Sequence, residues 1–256
     1  MADPPHWRDR VTFAYIDEPP FAAPLPNGAA TGCDVELALI GLQALGVRHV
    51  ELQLTTFAEL LPGVASGRWT MNTPLFVSAE RQALVAFSRA VWALRDGFIV
   101  PAGNPKGITS YRGIALGRHR LALVRGQIQR QSAMAAGVDA ARIIEFFTQH
   151  DALQAVRRGQ ADAYASTALG NRTVLVREQL ADLAPVDAQD ELAGGPPIGA
   201  FSFARQNVEL QSAFDGFLAG YLGTAEHRRR MLRHGLTQNE IDPIADEPSA
   251  RRRDLR

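Results

Sequence analysis

The sequence predicts an α/β protein of two lobes, each a mainly parallel sheet flanked by helices, joined by a two-strand hinge. Three observations lead to this fold class. Strand and helix patterns alternate along the chain, the second half repeats the pattern of the first, and two apolar segments link the halves. With 256 residues, of which 46% are hydrophobic, the chain is long enough to bury two small cores.

The first half alternates between two periodicities. Apolar residues with a period of two predict strands, and apolar residues at helical spacing followed by glycine predict helices. The predicted strands are "RVTFAYI" (10–16), "HVELQLT" (49–55) and "RWTMNT" (68–73), and the predicted helices are "CDVELALIGLQAL" (33–45) and "FAELLPGVASG" (57–67).

The second half repeats this order. Its predicted strands are "RLALVRG" (120–126), "RIIEFF" (142–147) and "ADAYAST" (161–167), and its predicted helices are "IQRQSAMAAG" (128–137) and "HDALQAVRRG" (150–159). The segments "TTFAELLPGVASGRWTMNT" and "FTQHDALQAVRRGQADAYAST" each contain a loop, a helix ending in glycine and a strand ending in small polar residues. This correspondence indicates two lobes of the same design.

Two apolar segments predict the hinge. "WALRDGFIVPAGNP" follows the first half, and "GGPPIGAFSFA" returns the chain before a C-terminal helix. We therefore expect lobe one to comprise residues 10–94 and 199–240, lobe two residues 98–194, and flexible tails residues 1–9 and 245–256.

Composition excludes several classes of function. The 27 basic and 27 acidic residues balance, so nothing indicates nucleic acid or a membrane surface as a partner. The single cysteine, Cys33, excludes an internal disulfide and a multi-cysteine metal site. The six histidines share no metal-ligand spacing, and no phosphate-binding or nucleophile motif is present. We expect no metal and no cofactor.

The sequence leaves the location of the protein open. Its first residues, "MADPPHWRDR", lack the apolar core of a signal peptide, and no segment reaches the ~18–20 apolar residues of a membrane helix. We therefore expect either a periplasmic protein whose signal peptide has been removed or a cytoplasmic protein.

The predicted topology indicates where a ligand would bind. Open parallel sheets bind ligands outside the carboxyl ends of their strands. Two such lobes facing each other would hold a ligand in the cleft between them. The strand ends in question are residues 15–21, 72–76, 127–129 and 166–167.

Residues 67–105, "GRWTMNTPLFVSAERQALVAFSRAVWALRDGFIVPAGNP", resemble the signature of the solute-binding proteins of polar amino-acid ABC transporters. The resemblance covers about residues 10–235 and implies the type II periplasmic-binding-protein fold. It also implies a monomeric receptor that delivers a small solute to permease subunits. In that family the arginine at the position of Arg81 binds the ligand carboxylate, for which a guanidinium is well suited. From spacing alone, a surface arginine at the start of a helix is the favoured interpretation of Arg81, and the resemblance reverses this preference.

The sequence departs from the family pattern at three places. Pro74 and Phe76 stand where Gly or Ser-x-Thr is usual, and Ala90 replaces a proline. Thr167 occupies the place of the aspartate that holds the ammonium group of an amino acid. This last departure argues against an ordinary L-α-amino acid as the ligand.

"YIDEPPFA" and "VPAGNP" resemble the ectoine-binding branch of the family. The resemblance implies that a glutamate and aromatic rings enclose a delocalised cation while arginine holds the carboxylate. The ligand-binding residues we predict are Glu18, Phe21, Phe57, Asn72, Thr73, Phe76, Arg81, Gln127, Gln129 and Thr167. The alternatives are a core position for Phe21 and Phe57, a solvated turn for Glu18 and an exposed loop for the glutamines.

We therefore expect an extracytoplasmic receptor for a small zwitterionic solute such as ectoine. Two other readings stay open. One is a dehydratase-like enzyme of the same fold, in which Glu18 would be the general acid or base. The other is a sensor domain that reports the solute to a membrane partner.

Overall fold

A computed structural model describes residues 6–190 and 196–245. The chain divides into two compact units. Of the described residues, the first unit contains 6–55, 60–93 and 197–245, and the second contains 56–59, 94–190 and 196.

The first unit is built on a sheet whose strands are β1 (Arg10–Tyr15), β4 (His49–Leu54), β5 (Met71–Phe76), β6 (Ala86–Phe87), β7 (Trp92–Ala93) and β13 (Ile198–Phe203). Their order across the sheet is β4-β1-β5-β13-β6, and β7 also pairs with β13. A separate pair joins β2 (Ala23–Pro24) to β3 (Ala30–Thr31). Its helices are α1 (Cys33–Ala44), α3 (Ala79–Gln82), α8 (Val208–Tyr221), α9 (Ala225–Arg233) and α10 (Gln238–Ala245).

The second unit is built on a sheet of the order β10-β9-β11-β8-β12. Its strands are β8 (Asp96–Pro101), β9 (Leu121–Val124), β10 (Ile143–Phe146), β11 (Ala163–Thr167) and β12 (Leu183–Asp187). Its helices are α4 (Tyr111–Leu116), α5 (Gln129–Ala135), α6 (Gln149–Arg157) and α7 (Ala168–Arg177). Helix α2 (Phe57–Ala65) contributes its first residues to this unit.

The two units share one design. Strand β1 runs parallel to β4 and β5, and on the far side of β5 the next strand in the sheet is β13, which is antiparallel to it. In the same way, β9 runs parallel to β10 and β11, and on the far side of β11 the next strand is β8, which is antiparallel to it. The predicted fold class, two α/β lobes whose sheets are flanked by helices, is confirmed. Each sheet is mixed, since β13 also pairs antiparallel with β6 and β7, and β12 pairs antiparallel with β8.

Aliphatic and aromatic side chains fill each unit separately. In the first unit the rings of Phe13, Phe201 and Phe214 follow one another at centroid distances of 6.2 and 5.2 Å. In the second unit one face of the sheet packs Tyr164 against helices α6 and α7, and the other packs Phe98 against Tyr111 of α4. Each unit therefore holds its own strand ends by burial of apolar surface.

The observed boundaries differ from the expected ones in two places. Residues His6–Arg8 form a 3-10 helix and Trp7 is buried, so this part of the expected N-terminal tail packs on the first unit. Residues 56–59 belong to the second unit, although we expected them in lobe one. The expected tail beyond Ala245 lies outside the described residues. Among the described helices, none is long and apolar enough to cross a membrane.

The α2–β5 connection gives a test of this packing. A β-carbon on Gly63 would lie 1.9 Å from the ring of Trp69, whose indole N–H donates to the carbonyl of Leu60 at 3.3 Å. Gly63→Ala should therefore lower the free energy of unfolding by about 1–3 kcal/mol, as overpacking does. Gly216→Ala in α8 is the control, because a β-carbon there meets nothing within 4 Å. Its expected effect in urea unfolding is a gain of ~0.4–1 kcal/mol. Equal stability of the two variants would contradict the packing.

Candidate functional site

A buried carboxylate, Asp34, lies in the first turn of α1 and is 2% exposed. Its Oδ1 accepts hydrogen bonds from the Trp92 indole at 3.2 Å and from the Cys33 thiol at 3.5 Å. Its Oδ2 accepts one from the Thr73 hydroxyl at 3.3 Å. In the described part of the chain, the side-chain donors to Asp34 are thus all neutral.

Asp34 is joined through Trp92 to an aromatic cluster, which consists of Phe21, Phe76 and Trp92. The Trp92 ring meets Phe76 edge-on at a centroid distance of 5.0 Å and Phe21 at 5.8 Å. The position of the Trp92 ring is also constrained by Gly199, where a β-carbon would lie 2.0 Å from the indole. The ring is therefore held by the hydrogen bond from its N–H to the Asp34 carboxyl group and by close packing against the glycine.

The environment of Asp34 favours its neutral form. Burial raises its pKa from 3.8 to about 8, and the charge of Glu18 acts in the same direction. The hydrogen bonds from Cys33, Trp92 and Thr73 oppose this effect, because they stabilise the carboxylate. Burial outweighs them, so the group carries a proton at neutral pH.

The loop that bears Glu18 is fixed to the start of α1. The backbone N–H of Glu18 donates to the carbonyl of Ala22 at 2.9 Å, and the N–H of Asp34 donates to the carbonyl of Phe21 at 3.0 Å. Gly32 allows this approach, since its φ is +122° and a β-carbon there would lie 2.3 Å from the Phe21 carbonyl oxygen. Glu18 is half-buried, not a fully solvated turn residue.

Arg81 lies on the short helix α3, directly after β5. The Ser78 side chain caps this helix by accepting from the backbone N–H of Arg81 at 3.3 Å. The guanidinium Nη1 donates to the carbonyl of Phe76 at 2.8 Å, so cation and aromatic cluster are linked. Arg81 is half-buried, and burial lowers the pKa of its guanidinium.

The two polar residues of β5 face partners within the first unit. Asn72 is fully buried, and its Oδ1 accepts a hydrogen bond from the Ser202 hydroxyl of β13. Thr73 is 4% exposed and holds Asp34. Their direct contact with a ligand stays a prediction.

In the second unit, the glutamines after β9 are buried. Gln127 is 8% and Gln129 is 2% exposed, so the exposed-loop alternative is wrong for both. The Gln129 amide donates to Oδ1 of Asp96 at 2.7 Å, and the Tyr111 hydroxyl donates to Oδ2 at 2.8 Å. Burial raises the pKa of both Asp96 and Tyr111.

Thr167 is the last residue of β11 and the N-cap residue of α7. Its Oγ1 accepts from the backbone N–H of Gly170 at 3.1 Å and caps the helix. Its partner across the antiparallel β11–β8 pair is Asp96. The carboxylate that the sequence lacks at the end of β11 therefore stands on the neighbouring strand, although Gln129 and Tyr111 already bind it.

The three phenylalanines predicted as walls belong to different units. Phe21 and Phe76 meet Trp92 in the first unit, whereas Phe57 packs on the core of the second unit beside Gly126. The sequence analysis singled out neither Asp34 nor Asp96. An aspartate in the first turn of a helix is a common surface feature, and only the fold shows that Asp34 is buried.

Asp34 makes stability depend on pH. Its folded-state pKa is raised to about 8, so between about pH 4 and pH 8 the unfolded state loses a proton that the folded state keeps. The free energy of unfolding should therefore fall as pH rises through this window, with a slope approaching ~1.4 kcal/mol per pH unit. Asp34→Asn should remove this slope in urea unfolding measured from about pH 5 to pH 8.

The control for that experiment is Asp162, which is 8% exposed and bound by Lys106 at 2.8 Å. Its pKa is lowered although burial opposes this, because Lys106 and the Arg120 backbone donate to it. Its contribution to stability is present above its unfolded pKa and is lost only as pH falls through its folded pKa. Asp162→Asn should leave the slope above about pH 5 intact. An unchanged slope in Asp34→Asn would contradict the assignment.

Comparison with known proteins agrees with this architecture. A probable amino-acid ABC transporter periplasmic-binding protein, y4tE, of Sinorhizobium fredii is 30% identical in an alignment of 246 residues that covers 94% of this chain and 81% of that protein. The crystal structure of EhuB in complex with hydroxyectoine superposes with a TM-score of 0.81 at 23% identity, covering 93% of this chain and 95% of that one.

A histidine kinase sensor domain with similarity to periplasmic binding proteins has a TM-score of 0.78 at 19% identity, covering 90% of this chain and 97% of that one. Both structural likenesses show the type II periplasmic-binding-protein fold. The family model of the bacterial extracellular solute-binding proteins, family 3, matches residues 11–229. Since this match spans most of the sequence, the chain belongs to that family.

Proposed function

We propose that this solute-binding protein is the periplasmic receptor of an ABC importer and takes up a small zwitterion whose cation is delocalised, such as ectoine or hydroxyectoine. The observation that carries the proposal is the presence, in one unit, of a half-buried guanidinium, an aromatic cluster and the half-buried carboxylate of Glu18 on a loop fixed to α1. Membership of the solute-binding family supports the transport role. We expect permease subunits as partners and a monomeric state.

The guanidinium of Arg81 would hold the carboxylate of the solute. It stands at the end of β5, the strand edge at which ligands of parallel sheets bind. Its Nη1 donor is bound to the Phe76 carbonyl, which orients the fork. A planar fork in a half-buried position forms two parallel bonds to a carboxylate, which a lysine ammonium cannot do.

The aromatic cluster and Glu18 would hold the cation. Aromatic faces attract cations by ~0.5–2 kcal/mol each, most where water is excluded. The loop that bears Glu18 and Phe21 is fixed to α1, so a carboxylate and a ring are presented together. A free ammonium requires directed acceptors, whereas a ring or an alkylated nitrogen with spread charge is matched by aromatic faces.

The second unit would contribute neutral groups. Gln127, Gln129 and Thr167 stand at the carboxyl ends of β9 and β11, and Phe57 packs beside Gly126 in the same unit. The one carboxylate near Thr167, Asp96, is bound by Gln129 and Tyr111. This arrangement disfavours a free α-ammonium group as the ligand's cation, in agreement with the replacement of the usual aspartate by Thr167.

A thermal-shift screen of small solutes tests the proposed ligand class. Ectoine and hydroxyectoine should raise the melting temperature more than glutamate or aspartate, because Glu18 repels a second carboxylate and neutral rings do not attract one. At about 100 times the dissociation constant, mass action stabilises the protein by ~2.7 kcal/mol, which such a screen detects. A larger shift with glutamate, and none with ectoine, would exclude the aromatic-cation reading.

Substitution of Arg81 tests its proposed role in binding the solute carboxylate. Arg81→Ala should weaken binding of the best solute of the screen by at least ~2 kcal/mol, because a charge-assisted fork is lost. Arg81→Lys should fail as well, because a point charge does not replace the fork. Arg205→Ala is the matched control, an exposed arginine that binds the carbonyl of Gln82 in the same unit. Calorimetry that gives wild-type affinity for either Arg81 variant would refute the role.

A further inference from the structure

Asp34 is a buried carboxyl group to which the proposed function assigns no part. It is 2% exposed, and its side-chain donors in the described residues are a thiol, an indole and a hydroxyl. Buried carboxylates are normally paired with a cation or neutralised by a proton. Among the described residues the side-chain donors to Asp34 are all neutral, so a cation brought near this group would favour its ionised form.

We propose that Asp34 is a positioning residue for the aromatic cluster and that it releases its proton when a cationic group enters that cluster. The proposal rests on the proposed function, since it requires a solute with a positive charge. The step is an acid–base exchange: the O–H bond of the Asp34 carboxyl breaks, its electron pair stays on the oxygen, and the proton passes to the buffer.

The geometry supplies the coupling. Trp92 is bonded to Asp34 through its indole N–H and touches both Phe21 and Phe76 with its ring. A cation against these rings would lie one side chain away from the carboxyl group, in a region where low polarity leaves charges poorly screened. The ionised carboxylate also accepts the indole N–H more strongly than the neutral acid does, which tightens the ring position.

The other ionisable groups around Asp34 do not replace it in this role. Glu18 faces it from the loop before β2, and its charge opposes ionisation of Asp34. Cys33 and Glu36 share its helix. Burial raises the pKa of the Cys33 thiol well above its ordinary value, and Glu36 is occupied by Arg230 and His234.

Two further elements pack near the cluster. Strand β5 presents only the neutral Thr73 to Asp34. Helix α10, which packs against β7, carries Glu240 and Asp242, and Asp242 is bound by Arg228. The carboxyl group that stands bonded to the cluster itself is Asp34.

Calorimetry of hydroxyectoine binding in buffers of different ionisation enthalpy tests the proposal. At about pH 7 the observed enthalpy should vary with the buffer in the sense of proton release, by a positive number of protons no greater than one per solute. Between about pH 6 and pH 8 the affinity should rise severalfold, at most about tenfold per pH unit. Both follow because the raised pKa of Asp34 leaves it protonated until the cation binds.

Variants identify which carboxyl group releases the proton. Asp34→Asn keeps a carbonyl oxygen for the indole N–H and should abolish the buffer dependence and the rise of affinity with pH. Glu36→Gln, on the same turn of α1, should keep both. If Asp34→Asn does not fold, Trp92→Phe, which removes the bonded N–H, should weaken binding and change the released proton fraction.

The outcomes are distinct. Binding without any buffer dependence overturns the proposal and leaves the proposed function standing. Buffer dependence that survives in Asp34→Asn, or that disappears in Glu18→Gln alone, assigns the proton elsewhere and also overturns it. Absence of any binding heat overturns the proposed function and this proposal together.

Discussion

The hydrogen bond from the Trp92 indole to Asp34 is the contact on which the candidate site depends. One end of it lies in the first turn of α1 and the other in β7, so it joins a helix start to a short edge strand. Phe21 and Phe76 rest on the same indole, and the Phe76 carbonyl receives the Arg81 guanidinium. Displacement of this one ring would therefore move Phe21, Phe76 and the Arg81 guanidinium together. Gly199 shows how little freedom the ring has, since even a β-carbon would overlap it.

The scaffold and the site impose opposite demands at this contact. Packing favours an apolar group between α1 and β5, because a carboxyl group that is 2% exposed loses its hydration. The protein retains Asp34, keeps it neutral by protonation, and gives it three side-chain donors. Asp162 in the second unit shows the other solution, in which Lys106 and Arg120 compensate a buried carboxylate. A structural carboxylate is paired permanently, whereas one whose compensating charge is absent from the described residues can respond to a ligand.

The fold followed from the sequence because its two periodicities are local. The pattern of α6 reports the face that this helix buries, the apolar run of β9 indicates a strand buried on both faces, and the repeated order of segments identifies two sheets of one design. Short β6 and β7 carry too few residues for any periodicity, and β12 contains Pro185, so these strands required the three-dimensional structure. The placement of Phe57 in the second unit is of the same kind, because a residue that opens a helix carries no signal of which sheet it packs against.

The candidate site was predicted as far as residue type and strand ends allow. Arg81, Glu18 and Phe76 were chosen from the resemblance and from their positions at or after strand ends, and their contact with a ligand stays a prediction. The structure shows the Arg81 guanidinium bonded to the Phe76 carbonyl. Asp34 and Asp96 were not identified, because burial of a carboxylate is a property of tertiary packing and not of spacing. Asp96 is visible only through the antiparallel register of β8 and β11, which sets it opposite Thr167. The sequence therefore indicates which groups a solute would meet, whereas the charge state of the site is decided by contacts between residues far apart in the chain, such as Asp34 with Trp92.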